Sequence, residues 1–199
     1  MNNTCRFVSI AIAAVDIPDA GDSKLLAPTH LTAIGLLIAE RDGDAWQFTL
    51  KHQAIAAGSS EKLLLAWATR ALPDSGTLIG WQLADDIVQP LIAAGSEGDP
   101  EIARRFFDRL MQLVTAPTID LALHHGGAGA PPLALIAGEH GIETPRTTLA
   151  EIESAWAFGE RELLRGHVAA QVIATWRLWL AESNGIAAAA SAAFERWLA

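Results

Sequence analysis

The run FVSIAIAAV at positions 7–15 constrains this chain more than any other stretch. Apart from Ser9 it is apolar throughout and rich in Ile, Val and Ala. A half-buried strand alternates polar and apolar residues, whereas a short continuous apolar run reads as a strand buried on both faces. Such a strand needs cover on both sides. In a chain of 199 residues this points to an α/β domain, a mixed sheet hidden behind helices. The run also follows Arg6 and ends in small residues, which mimics a short secretory signal. The apolar segments that come next read as its sheet partners and favour the strand.

Composition supports a packed domain and narrows its partners. Hydrophobic residues make up 51% and charged residues 19%, enough for a large core and incompatible with global disorder. The net charge is −9 and the only lysines are Lys24, Lys51 and Lys62. Tight non-specific binding to duplex DNA rests on cations neutralising phosphates, so this balance argues against it. A local arginine patch, or an acidic site working through metal ions, stays open. Cys5 is the one cysteine, which excludes a disulfide framework and a cysteine-rich zinc site. The expected state is a free, buried thiol in a reducing compartment. No stretch reaches the roughly 20 apolar residues of a membrane span. The expected location is cytoplasmic, with no membrane partner.

Two further strands are expected at 30–40 and 45–52, flanking RDGD, whose Asp-Gly at 42–43 signals a hairpin. The last two of the first three strands are therefore expected to be antiparallel. A helix is expected over 59–72, with Ser60 as N-cap and Glu61 in its first turn. TLIGWQL at 77–83 reads as a short buried strand, and 84–95 as a short helix opened by Asp85 and Asp86. Residues 99–113 form a helix with Pro100 in the first turn. Residues 117–123 are extended or turn. HHGGAGAPP at 124–132 is a surface loop, 133–142 a short helix ended by Gly141, and 146–183 helical with a break near Gly159. Asn184-Gly185 ends that helix, and the Ala-rich remainder forms a last one.

This order, with local words at matching places, resembles the ribonuclease H-like 3′–5′ exonucleases with four metal-binding carboxylates. The resemblance is closest to predicted bacterial exonucleases related to the exonuclease domain of family B DNA polymerases. It covers about residues 7–180. GTLIGWQLADDIVQPLI (76–92) is similar to the second motif, a strand ending in Asn and then Phe-Asp. TIDLALHH (118–125) is similar to an Asp-Leu segment, and PPLALIAGEHGIETP (131–145) to a hydrophobic helix followed by Gly-Ile-Pro. AWAFGERELLRGHVAAQVIATWRLWL (155–180) is similar to the third motif, Tyr-x-x-x-Asp followed by aliphatic residues. No single piece is specific. Their order and spacing carry the likeness.

The resemblance implies a ribonuclease H-like domain over residues 1–183, a mixed sheet with its first three strands antiparallel and helices flanking it, with the Ala-rich helix of 184–199 packed on it. It also implies a chemistry in which four carboxylates hold two divalent ions that activate water and steady the leaving oxygen. Mg²⁺ demands hard oxygen ligands. Two come from an Asp-x-Glu pair on the first strand, where residues i and i+2 share a face. With DIPD (16–19) matched to the family's Pro-Asp segment, that pair falls on Ala13 and Val15. The third falls at Asp86, after Gln82 in place of the family Asn, and Asp85 stands where the Phe belongs. The Tyr position is His167 and the fourth carboxylate position is Gln171. Three of four carboxylates are thus absent. Asp16 has the wrong strand parity to substitute unless a bulge intervenes.

Other polar candidates each have a plainer use. His124-His125 could ligate a metal, but adjacent residues diverge on most backbones, and a surface loop is the expectation. Asp85-Asp86 could cap a helix. His167 and Gln171 share a helix face, either as a polar pair in the cleft or as solvated surface. Trp81 is the tryptophan nearest the cleft, and with Gln82 forms the candidate contact to nucleic acid through base stacking. The C-terminal helix carries Phe194 and Trp197, for cover of the chain's own core or for a homodimer. The functional expectation is a catalytically silent exonuclease-like module, with no cofactor and a weak single-stranded nucleic acid partner. The alternative is an active exonuclease on single-stranded DNA or RNA. It would need Mg²⁺ or Mn²⁺ on displaced ligands such as Asp16, Asp85 and Asp86.

Overall fold

The computed structural model describes residues 5–16, 29–96, 99–183 and 187–199. The chain opens with β1 (Cys5–Asp16), β2 (Thr29–Asp42) and β3 (Ala45–Ala54). Helix α1 (Lys62–Ala71) and strand β4 (Thr77–Gly80) follow. A π-helical turn (Leu83–Val88) leads into α2 (Gln89–Ser96), then α3 (Pro100–Val114) and β5 (Thr118–Asp120). Two short 3₁₀ turns, Leu121–His125 and Gly127–Gly129, precede α4 (Leu133–Glu139), α5 (Leu149–Phe158), α6 (Arg161–Glu182) and α7 (Ala187–Leu198).

The strands form one five-stranded mixed sheet in the order β3-β2-β1-β4-β5. β1 with β2, and β2 with β3, are antiparallel. β1 with β4, and β4 with β5, are parallel. β1 is central, and its apolar run is covered on both faces as the sequence predicts. Cys5 is exposed rather than buried, because it stands at the strand's start, ahead of that run. Val8 and Ile10 pack with Leu36, Leu64, Phe106 and Leu110 under α1 and α3. Ala11 lies on the opposite face, in the cluster that holds Phe48, Val172, Trp176 and Phe194. Phe194 of α7 is fully buried, with its ring centroid 5.1 Å from that of Phe48. The Ala-rich segment therefore covers the chain's own core.

Three local expectations shift for physical reasons. The hairpin turn residues are Gly43 and Asp44, because Asp42 still pairs with Ala45. Gly43 takes φ +59° at the first turn position, where only glycine is unstrained. Helix α1 begins at Lys62, and its N-cap is Glu61 rather than Ser60. The Glu61 carboxylate does not cap its own helix. It accepts from the Leu31 N–H at 2.5 Å and lies 3.5 Å from His30. Strand β4 stops at Gly80, three residues before the predicted end, and the chain reverses through Gln82 at φ +49°. A Cβ at Gly80 would stand 2.7 Å from Leu83 Cγ, so the tight return requires glycine. The break at Gly159 falls as predicted, with φ +78° ending α5.

Helix α6 lies across the sheet at very short range. A Cβ on Gly35 of β2 would meet the Val168 carbonyl oxygen at 2.7 Å. The buried Ser9 hydroxyl donates to the Val172 carbonyl at 3.0 Å. These two contacts set how far α6 slides along β1, and hence what stands opposite Gln171. No described helix is long and apolar enough to cross a membrane.

Candidate functional site

Where β4 ends, the π-helical turn and α6 leave a cleft of about 120 Å³ against β1. Ile10, Ala11 and Ile12 form its floor, Trp81 and Asp86 one wall, and Gln171 and Thr175 the other. The structure thus brings together three of the sequence-predicted positions, Trp81, Asp86 and Gln171, the last two from segments 85 residues apart in sequence.

Asp86 is the cleft's one carboxylate. Partial burial, and then the charges of Asp85 and Asp120, hold its carboxyl above the usual aspartate range. Asp120 ends β5, and its position is fixed by two bonds. Oδ2 accepts from the Leu83 N–H at 2.9 Å and Oδ1 from the Ala122 N–H at 3.1 Å. One side chain therefore caps both the turn that carries Asp86 and the 3₁₀ turn after β5. Asp85 and Asp86 lie in the first turn of the π-helical segment, but neither caps it. The capping position is Gln82, with no side-chain bond.

The pair expected on β1 needs correction. Ala13 and Val15 do share a face, but they pack with Ile152, Ala155, Leu164 and Val168 beneath α5 and α6. They are not in the cleft. The β1 residue on that face level with Gln171 is Ala11, two positions earlier. Alternation along the strand puts 9, 11, 13 and 15 on one face, but nothing in the sequence says which stands opposite Gln171. Asp16 is exposed at the end of β1. A register irregularity does occur between Ala13 and Ala14, yet the extra residue is Thr32 on β2, since Ala13 pairs with Ala33 and Ala14 with Leu31. The parity of β1 is unbroken and Asp16 is not turned inward. Asp19 lies outside the described residues.

His167 is neither in the cleft nor on a solvated face. It is 7% exposed, with a buried Nδ1 that has no hydrogen-bond partner. Burial pushes its pKa below the ordinary histidine value. Trp81 is 8% exposed, its ring centroid 5.6 Å from that of His125. It lines the cleft, but little of its surface is open to a stacked base. Gln82 is half-buried and contributes its carbonyl to the Asp86 N–H at 2.9 Å. Its side chain does not line the cleft.

His124 and His125 are not in an unstructured loop. They close the 3₁₀ turn after β5, and both rings turn to Glu182 of α6, at 3.4 Å for His124 Nδ1 and 2.7 Å for His125 Nε2. Nothing in the sequence marks Glu182, because the last turn of a long helix gives no local sign of what it faces.

A pair of divalent cations does not fit this cleft. Its hard oxygen donors are the Asp86 carboxylate, the Gln171 amide and the buried Thr175 hydroxyl, set against alkyl groups of Ile10, Ala11 and Ile12. Among the described residues no group of three or more His, Cys, Asp or Glu is arranged to hold a metal ion. The fold and site together define a mixed α/β domain, a five-stranded sheet flanked by helices, with a small, singly acidic cleft. No family model, curated protein or solved structure matches the chain.

Proposed function

We propose that this chain is a ribonuclease H-like, exonuclease-type domain that has given up its reaction and serves as a non-catalytic module. The donor set of the cleft carries this reading. Two-metal hydrolysis needs several carboxylates converging on one point, and here Asp86 faces Ala11 and Gln171. Each missing charge removes an attraction for a divalent ion on the order of several kcal/mol at an effective dielectric of about 20.

Single-stranded nucleic acid is the partner class the resemblance implies. An acidic chain with few lysines and a buried Trp81 would hold it weakly. The direct test is incubation with 3′-labelled single-stranded DNA and RNA in Mg²⁺ and in Mn²⁺. No turnover is expected. Turnover abolished by Asp86→Ala would overturn the proposal and establish a working exonuclease with an unforeseen ligand set.

A further inference from the structure

On the α1–α3 face, toward the start of β1, a second cavity of about 380 Å³ shares no lining residue with the Asp86 cleft. Its lining is mostly polar and its charge runs against that of the chain. Four cationic side chains, Arg6, Lys51, Arg70 and Arg109, surround it, against the two carboxylates of Glu40 and Asp74. The whole protein carries −9 and only 14 Lys and Arg residues. The two carboxylates are already used. Glu40 pairs with Arg6 at 2.6 Å, and Asp74 pairs with Arg109. Lys51 donates one bond, to the Ala71 carbonyl at 3.2 Å, and has no carboxylate partner among the described residues. Arg70 is exposed, and it too pairs with no carboxylate among the described residues.

We propose that this cavity binds a small molecule through its phosphate monoester. Strand pairing sets Glu40 directly against Arg6, and Thr49 two residues from Lys51 on β3. The charged floor thus comes from three adjacent strands, while Arg70 and Arg109 descend from two helices. The unpaired Arg70 guanidinium fork, the Lys51 ammonium and the Thr49 hydroxyl, with Arg6 and Arg109 beside them, suit an oxyanion with three acceptor oxygens. The two uncompensated cations match a dianion better than a carboxylate. The volume falls in the range of small-molecule sites, with room for a substituent beyond the phosphate.

The test is calorimetric titration of the full chain with inorganic phosphate, glycerol phosphate and acetate, in a buffer free of other polyvalent anions. Saturable one-to-one binding of both phosphates, with acetate much weaker, is expected. Arg70→Gln should weaken binding about tenfold, as loss of a charge-assisted contact implies. Arg70→Lys, which keeps the charge near the end of α1 but not the fork, should fall between. Arg104→Gln, on an exposed pair with Asp108, should bind as the wild type does. Thermal melts without phosphate check each fold. If Arg70→Gln does not fold, Lys51→Gln reads the same loss from β3. The proposal is overturned by an absence of saturable heat, by equal losses in the Arg70 and Arg104 variants, or by full affinity in Lys51→Gln. Binding of an oligonucleotide without terminal phosphates, and not of the small phosphates, would also overturn it.

Discussion

Asp120 and Leu83 are 37 residues apart, and the Asp120 carboxylate accepts the Leu83 N–H at 2.9 Å. This bond ties the end of β5 to the first residue of the turn that carries Asp86. It also places a fixed negative charge where it raises the Asp86 pKa. The same group thus orders the cleft wall and makes its carboxyl a weaker acid.

Asp120→Ala removes both cap bonds and leaves the Leu83 and Ala122 N–H groups unpaired. A loss of about 1–2 kcal/mol in denaturant unfolding is expected. The Asp86 pKa should move down in the variant, readable from its carboxyl carbon shift. An unchanged Asp86 titration would show that Asp120 exerts no field there.

The acid raised in the fold sets a pH dependence of definite sign. The folded pKa of Asp86 lies above its unfolded value near 3.8, so its contribution is full below that value. That contribution is lost as pH rises through the folded pKa. Asp86→Asn should remove this loss and raise the melting temperature modestly at neutral pH. A variant less stable than wild type at neutral pH would contradict the repulsion among Asp85, Asp86 and Asp120.

His167 acts in the opposite direction and in a different range. Its folded pKa is lowered from 6.5 by burial, so its neutral form suits the fold. Stability is full above about 6.5 and falls as pH drops from there through the folded pKa, because the unfolded chain takes up the proton first. His167→Leu should flatten the unfolding free energy over this range. A wild-type curve already flat there would refute the buried neutral imidazole.

Gly35→Ala tests the seat of α6. The added methyl would meet the Val168 backbone, with its oxygen at 2.7 Å and its carbon at 2.9 Å, and backbone has little room to give. A destabilisation of about 1–3 kcal/mol is expected from overpacking, measured by chemical unfolding. A neutral variant would mean that α6 is not held at this distance.

The donor deficit can be tested by addition. Gln171→Asp places a second carboxylate in the Asp86 cleft. Mn²⁺ affinity, followed by water proton relaxation, should rise on the order of tenfold over wild type. Equal affinities would show that charge does not limit the site.

Much of the fold is legible along the chain. The two-sided apolar run of β1, the β2–β3 hairpin and the Gly159 break are written in local residue types, since burial period, turn chemistry and capping act over a few neighbours. Of the cleft, Asp86 and Gln171 could be named from the pattern around them. Ala11 could not, nor could Glu182 behind His124 and His125, because each depends on a partner far away in sequence.

The sequence alone determined that β1 is buried on both faces and that a late helix carries His167 and Gln171 one turn apart. Only tertiary structure decided the rest. Gly35 against Val168 and Ser9 on Val172 fix the slide of α6 along β1. That slide buries His167, sets Gln171 level with Ala11, and sends Ala13 and Val15 under α5. Residue type sets which face of a strand or helix is apolar. The height at which two such faces meet is set by backbone approach and side-chain volume, which no local pattern records.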